Sequence, residues 1–214
     1  MIYKLNLTSI IMVILKDWKK EILAHKKQIF YAIIFLAIAL IINGIFSSYV
    51  YKKAIVKEVP DIVLDNIPVI NLSFLYVWLY IAVIIIIILY PFIFKPKKFH
   101  YSLAMLSLFI ITRAVFIILT HLKTPVEAIN VIFPRGLEWL NFNNDMFFSG
   151  HSGLPFLGFL IFRKQNKWLG YFMLAASVIL GAIVLLMHEH YSIDVLSAFF
   201  ITYGIYKIGN WLFG

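Results

Sequence analysis

Six apolar runs dominate this chain: Ile29–Val50, Ile70–Phe94, Phe99–His121, Phe147–Phe162, Trp168–Met187 and Tyr191–Phe213. About 20 apolar residues is the length a helix needs to cross roughly 30 Å of hydrocarbon. The runs therefore predict an all-α, polytopic membrane protein with six transmembrane helices. Composition agrees, with 63% hydrophobic and 14% charged residues, where soluble domains lie nearer one half and one quarter. Residues 1–28 alternate apolar clusters with lysines around Trp18 and read as a basic amphipathic interfacial helix, a frayed basic tail being the alternative. Their apolar stretch Leu5–Leu15 lacks the small-residue site of a cleaved secretory signal. Residues 29–214 are read as a single six-helix catalytic domain.

The charges orient the helices. Six spans put both termini on one side, and that side carries 13 of the 19 Lys and Arg residues, clustered in 1–27, 95–98 and 163–167 with Lys207. Excess Lys and Arg marks the cytoplasmic side, so both termini are expected in the cytoplasm. Basic residues at the ends of apolar runs are orientation signal, so the net charge of +9 does not point to nucleic acid. With no cysteine in the chain, disulfides, thiolate catalysis and Cys-ligated metals are excluded. The 20 Phe, 12 Tyr and 5 Trp read as lipid-facing bulk and interfacial belts.

Chemistry concentrates at two segments on the exoplasmic or periplasmic side. His188-Glu-His-Tyr-Ser-Ile-Asp194 lies between two apolar runs, where ionisable groups are costly and by default functional. His190 and Asp194 are four apart, which on a helix places them on one face. A carboxylate accepting one imidazole N–H fixes the tautomer and makes the other nitrogen a better base or nucleophile. His188 would point away from that face, and the His-Glu-x-x-His spacing of a zinc site is absent. Ser149-Gly-His-Ser152 opens the fourth run. A helix start there offers free N–H groups to a phosphate, with Ser149 as cap or phosphoryl donor and Gly150 allowing close approach. The bland reading is a capped helix with an interfacial histidine. Arg113, inside the third run, is either a phosphate-gripping residue or a structural partner for a carboxylate such as Asp145. Two histidines, one backed by a carboxylate, form a nucleophile and an acid–base partner: His190 attacks, Asp194 orients it, and His151 gives and then takes a proton.

Four segments carry a resemblance. They are Val59-Pro-Asp through Pro68, Arg113 through Thr120 to Thr124-Pro125, Asp145-Met-Phe-Phe-Ser-Gly-His-Ser152, and His188-Glu-His-Tyr-Ser-Ile-Asp-Val195. Together they resemble the lipid phosphatase/phosphotransferase superfamily that includes type-2 phosphatidic acid phosphatases, and within it the sphingomyelin-synthase-like branch. The resemblance implies six transmembrane helices, a triad of His151, His190 and Asp194, and cofactor- and metal-free transfer through a phosphohistidine. Substrate contacts are expected at Arg113, Asp145, Ser149, Gly150 and Tyr191. The chain departs from the branch at Asn143-Asn144, Ser152 and Ser192. It lacks the superfamily's phosphatase signature Lys-x6-Arg-Pro and has Val184 where those phosphatases carry an arginine. A phosphomonoester dianion needs several cations to offset its desolvation; a phosphodiester, with one charge, needs fewer. The expected donor is thus a phospholipid diester, and the expected acceptor a ceramide- or diacylglycerol-like lipid hydroxyl or water. A lipid phosphate or polyprenyl diphosphate phosphatase is the enzymatic alternative. A catalytically inert lipid-binding or transport protein is the alternative from another class.

Overall fold

The computed structural model describes residues 7–52, 54–136 and 144–214, with the backbone alone over 7–14. Asn143, named in the sequence reading, and Lys4 and Lys53, which enter its charge count, lie outside the described residues. The described residues form seven α-helices in order: α1 Leu7–Ala24, α2 Lys26–Lys52, α3 Ser73–Phe94, α4 Phe99–Thr120, α5 Gly150–Phe162, α6 Lys167–Leu186 and α7 Ser192–Phe213. Among the described residues there is no strand, only an isolated bridge between Lys57 and Leu122.

Among the described residues, four helical stretches are long and apolar enough to cross a membrane: Lys26–Lys52, Ser73–Phe94, Pro96–Thr120 and Lys167–Leu186. The other two expected spans differ for separate reasons. Helix α5 has only 13 residues, about 20 Å at 1.5 Å per residue. Helix α7 matches α3 in length, but Asp194, Lys207 and Asn210 dilute its apolar character. Residues 7–24 are helical rather than a frayed tail, and the break from α2 falls at His25. Trp18 anchors α1: its indole N–H donates to the Phe92 carbonyl at 2.7 Å and its ring meets Phe92 edge-on.

Helix α5 is the centre of the bundle. It packs most extensively against α6 and α7, while α2 lies along α4. Eleven of its thirteen residues are buried, which explains how so short a helix is held: protein surrounds it. Small residues set the spacing. A Cβ on Gly153 would sit 2.9 Å from both the Phe109 ring and the Thr202 hydroxyl, closer than carbon atoms tolerate, so only glycine lets α4 and α7 approach here. The Ser177 hydroxyl donates to the Ser152 carbonyl at 2.6 Å and ties α6 to the same turn. Outside this core, α2 is apolar all round, with Phe30, Ile33, Ile41 and Ile45 exposed, as suits a helix bordered by lipid.

Three connections knit together over one end of the bundle. Ile70 N–H donates to Leu186 O, Ile129 N–H to Met187 O and Lys123 N–H to Lys57 O. Lys123 also forms an ion pair with Glu58. Both histidine motifs lie beneath this cap.

Candidate active site

The site begins at Ser149, which caps α5. Its hydroxyl accepts the Ser152 N–H at 3.4 Å, and its own N–H donates to the Asp194 carbonyl at 3.1 Å. That second bond joins the first turn of α5 to the first turn of α7, so the two motifs, some 40 residues apart in the sequence, are physically coupled. His151, His190 and Asp194 are 5%, 4% and 0% exposed. Both histidines line one cavity of about 290 Å³, with Tyr76, Tyr80, Arg113, Asp145, Gly150 and Glu189 also on its wall.

His190 Nδ1 and Asp194 Oδ2 are 3.1 Å apart. A carboxylate only accepts, so the ring donates from Nδ1 and presents the lone pair of Nε2. The contact forms for a different reason than the spacing suggested. His190 precedes the helix instead of sitting on it: His188 has a left-handed backbone (φ 54°) and α7 starts at Ser192. Asp194, in the first turn of α7, reaches back to take both the His190 ring and the Tyr191 N–H, the latter at 3.2 Å. The i,i+4 helical face is thus replaced by a helix-capping carboxylate.

Asp61 explains the Pro-Asp segment. One of its oxygens accepts the Ser192 N–H at 2.6 Å, and the other accepts Val63 and Leu64 N–H at 2.9 and 3.2 Å. Burial favours its neutral form, but these backbone donors outweigh burial and hold the carboxyl below the usual aspartate range. Asp61 therefore fixes the start of α7, and through it Asp194. Tyr191 is a tie of the same kind. Its hydroxyl donates to Lys123 O at 2.9 Å and accepts the Val59 N–H at 3.4 Å; it lines a neighbouring cavity together with His188 and not the one between the histidines.

Arg113 spends three donors on the segment before α5. Nη1 meets Asp145 Oδ2 at 2.8 Å, Nη2 the Asp145 carbonyl at 2.9 Å and Nε the Phe148 carbonyl at 2.8 Å. The structural pairing with Asp145 is present, and it leaves two of the five guanidinium N–H bonds uncommitted among the described residues. Gly150 makes room for that guanidinium: a Cβ there would lie 3.2 Å from Arg113 Nε and 3.3 Å from the Tyr80 hydroxyl. Asn144, at a left-handed φ of 61°, exchanges hydrogen bonds with Thr124 and sets the same segment from its other side.

Two residues on the cavity wall escaped the sequence reading, and a third, Glu189, was singled out there with its segment but given no role. Tyr76 and Tyr80 stack on His151, with ring centroids at 4.0 and 3.9 Å; only their i,i+4 spacing in the second run hinted at a shared face. Glu189 is buried beside His190, and burial pushes its carboxyl up to about 7.

Residues 144–211 match the model of a protein family described as PAP2 superfamily, C-terminal. The matched stretch holds Asp145, both histidines and Asp194, and it supports a relation to the type-2 phosphatidic acid phosphatase superfamily, whose activities are those of lipid phosphatases and phosphotransferases. No curated protein and no solved structure matches the chain.

Proposed function

We propose that this chain is a membrane-embedded phosphotransferase acting on phospholipid diesters in the manner of sphingomyelin synthases. One observation carries the reading: His190, fixed through Nδ1 by Asp194, shares a small buried cavity with His151. His190 Nε2 attacks phosphorus, and the bond from phosphorus to the diacylglycerol oxygen breaks as His151 protonates that oxygen. His151 then removes the proton of an acceptor hydroxyl, which attacks phosphorus and releases His190. A ceramide- or diacylglycerol-like lipid completes a transfer; water would make the reaction a hydrolysis.

The charge of the cavity favours a diester donor. Arg113 is the one Lys or Arg on its described wall, it is already paired with Asp145, and Glu189 adds a second carboxyl. A doubly charged monoester would find too little positive charge to offset its desolvation. The same reading places α5 and α7 as spans beside the four stretches named above, with both termini cytoplasmic and the cavity opening on the other face.

The test is headgroup transfer by purified protein in mixed micelles. The donors are labelled phosphatidylcholine and phosphatidylethanolamine, with and without ceramide, beside a phosphatidic acid control. Turnover of a diester that disappears in His151→Ala and His190→Ala is the expected result. Phosphate release from phosphatidic acid alone would replace this reading with the phosphatase.

A further inference from the structure

Tyr76 and Tyr80 sit one turn apart on α3, and each packs a ring against His151. Packing alone would be served by phenylalanine, yet both positions carry a hydroxyl. Neither hydroxyl has a hydrogen-bond partner among the described residues, and although Tyr76 as a whole is only 2% exposed, neither oxygen is sealed off from the cavity. A phenol O–H left free on a cavity wall can donate to whatever fills the cavity. Both side chains line the cavity that holds the two histidines. The Tyr80 hydroxyl comes to the same point as the Arg113 Nε, each within 3.3 Å of where a side chain on Gly150 would begin. At that point the N–H groups of Gly150 and His151, in the first turn of α5, likewise find no acceptor among the described residues.

We infer that the hydroxyls of Tyr76 and Tyr80, beside the phosphate cradle that the first turn of α5 already offers, bind the non-bridging oxygens of a phosphodiester while His190 attacks its phosphorus. This rests on the function proposed above and deepens it. Neutral donors suit a singly charged diester: they replace lost water hydrogen bonds without needing the several cations that a dianion requires. They also stand in for the cations whose absence the sequence shows. Oxygens that gain charge during attack draw more from such donors than they do in the ground state, so the effect falls on turnover more than on affinity.

The experiment separates ring from hydroxyl. Tyr76→Phe and Tyr80→Phe keep the stacked ring and remove the donor, whereas Tyr80→Leu removes both. With phosphatidylcholine or phosphatidylethanolamine as donor, each Phe variant is expected to lower kcat at least tenfold with KM changed less than threefold, and the double Phe variant further. Phe variants within twofold of the parent, beside an inactive Tyr80→Leu, would overturn the proposal and reduce the tyrosines to packing. A second arm does not depend on activity: binding of dimethyl phosphate, a simple phosphodiester anion, followed by phosphorus NMR. Binding two- to threefold weaker in the double Phe variant, in line with the modest change expected in KM, supports the donor role, and binding equal to the parent's overturns it. If the parent protein turns over no phospholipid, the proposed function fails, and this binding arm still decides the tyrosines.

Discussion

His190 is gripped by its edge, through the Asp194 carboxylate at 3.1 Å, whereas His151 is held by its faces, between Tyr76 and Tyr80 at 4.0 and 3.9 Å. The two restraints suit different tasks. An edge restraint settles which nitrogen carries the proton, as a nucleophile requires, since one nitrogen must keep a free lone pair throughout. A face restraint fixes the ring plane and leaves the edge uncommitted; His151 Nε2 has no protein partner. A group that gives a proton in one half-reaction and takes one in the next benefits from that freedom.

The sharpest break in this comparison comes from removing each imidazole. His190→Ala should abolish transfer, by about 10⁴-fold or more, and no choice of leaving group should restore it. His151→Ala should cost about 10²- to 10⁴-fold with a natural lipid donor. With a p-nitrophenyl phosphodiester, whose leaving group needs no proton, the initial burst of nitrophenol from His151→Ala should approach that of the parent. A His190→Ala protein that also shows this burst would dissolve the distinction. Asp61→Ala tests how far the edge restraint reaches beyond the site. Losing the carboxylate that holds the Ser192 N–H should cost about 1–3 kcal/mol of stability and about tenfold in turnover, read by thermal unfolding in detergent and by transfer rate; unchanged values would detach Asp61 from α7. The smallest effect concerns Glu189. Burial raises its carboxyl to about 7, so between pH 4.5 and 7 the unfolded chain gives up a proton that the folded protein keeps. Stability should therefore fall as pH rises through this window, and Glu189→Gln should flatten that slope. A melting-temperature profile from pH 5 to 8 that is identical in both proteins would refute it.

Much of the site was legible because its residues cluster in two short motifs. The spacing of His190 and Asp194 correctly paired them, although a capped turn, not a helix face, makes the contact. The Arg113–Asp145 pair was among the readings weighed, since an arginine in an apolar run must find an acceptor. Tyr76 and Tyr80 were lost among other aromatics because α3 is apolar on every side, and no periodicity marks which face turns inward. Asp61 and Tyr191 act through backbone partners on segments 131 and 68 residues away, a relation that exists only after folding. The same limit applied to α5: the run Phe147–Phe162 looked like a short span, and its burial on all sides is a property of its neighbours.

That burial bears on how the protein is made. A segment enters a bilayer by itself when it is long and apolar enough to span it, and α5, with 13 residues opening on Gly150-His151-Ser152, falls short of that length. Its partners α6 and α7 both follow it in the chain. Helix α5 is therefore expected to settle only once they have formed, and the cavity to be complete when the last helix arrives. In an insertion assay, a chain truncated after Arg163 should leave this helix outside the membrane, and a stably inserted α5 in that fragment would show that the order of assembly is otherwise.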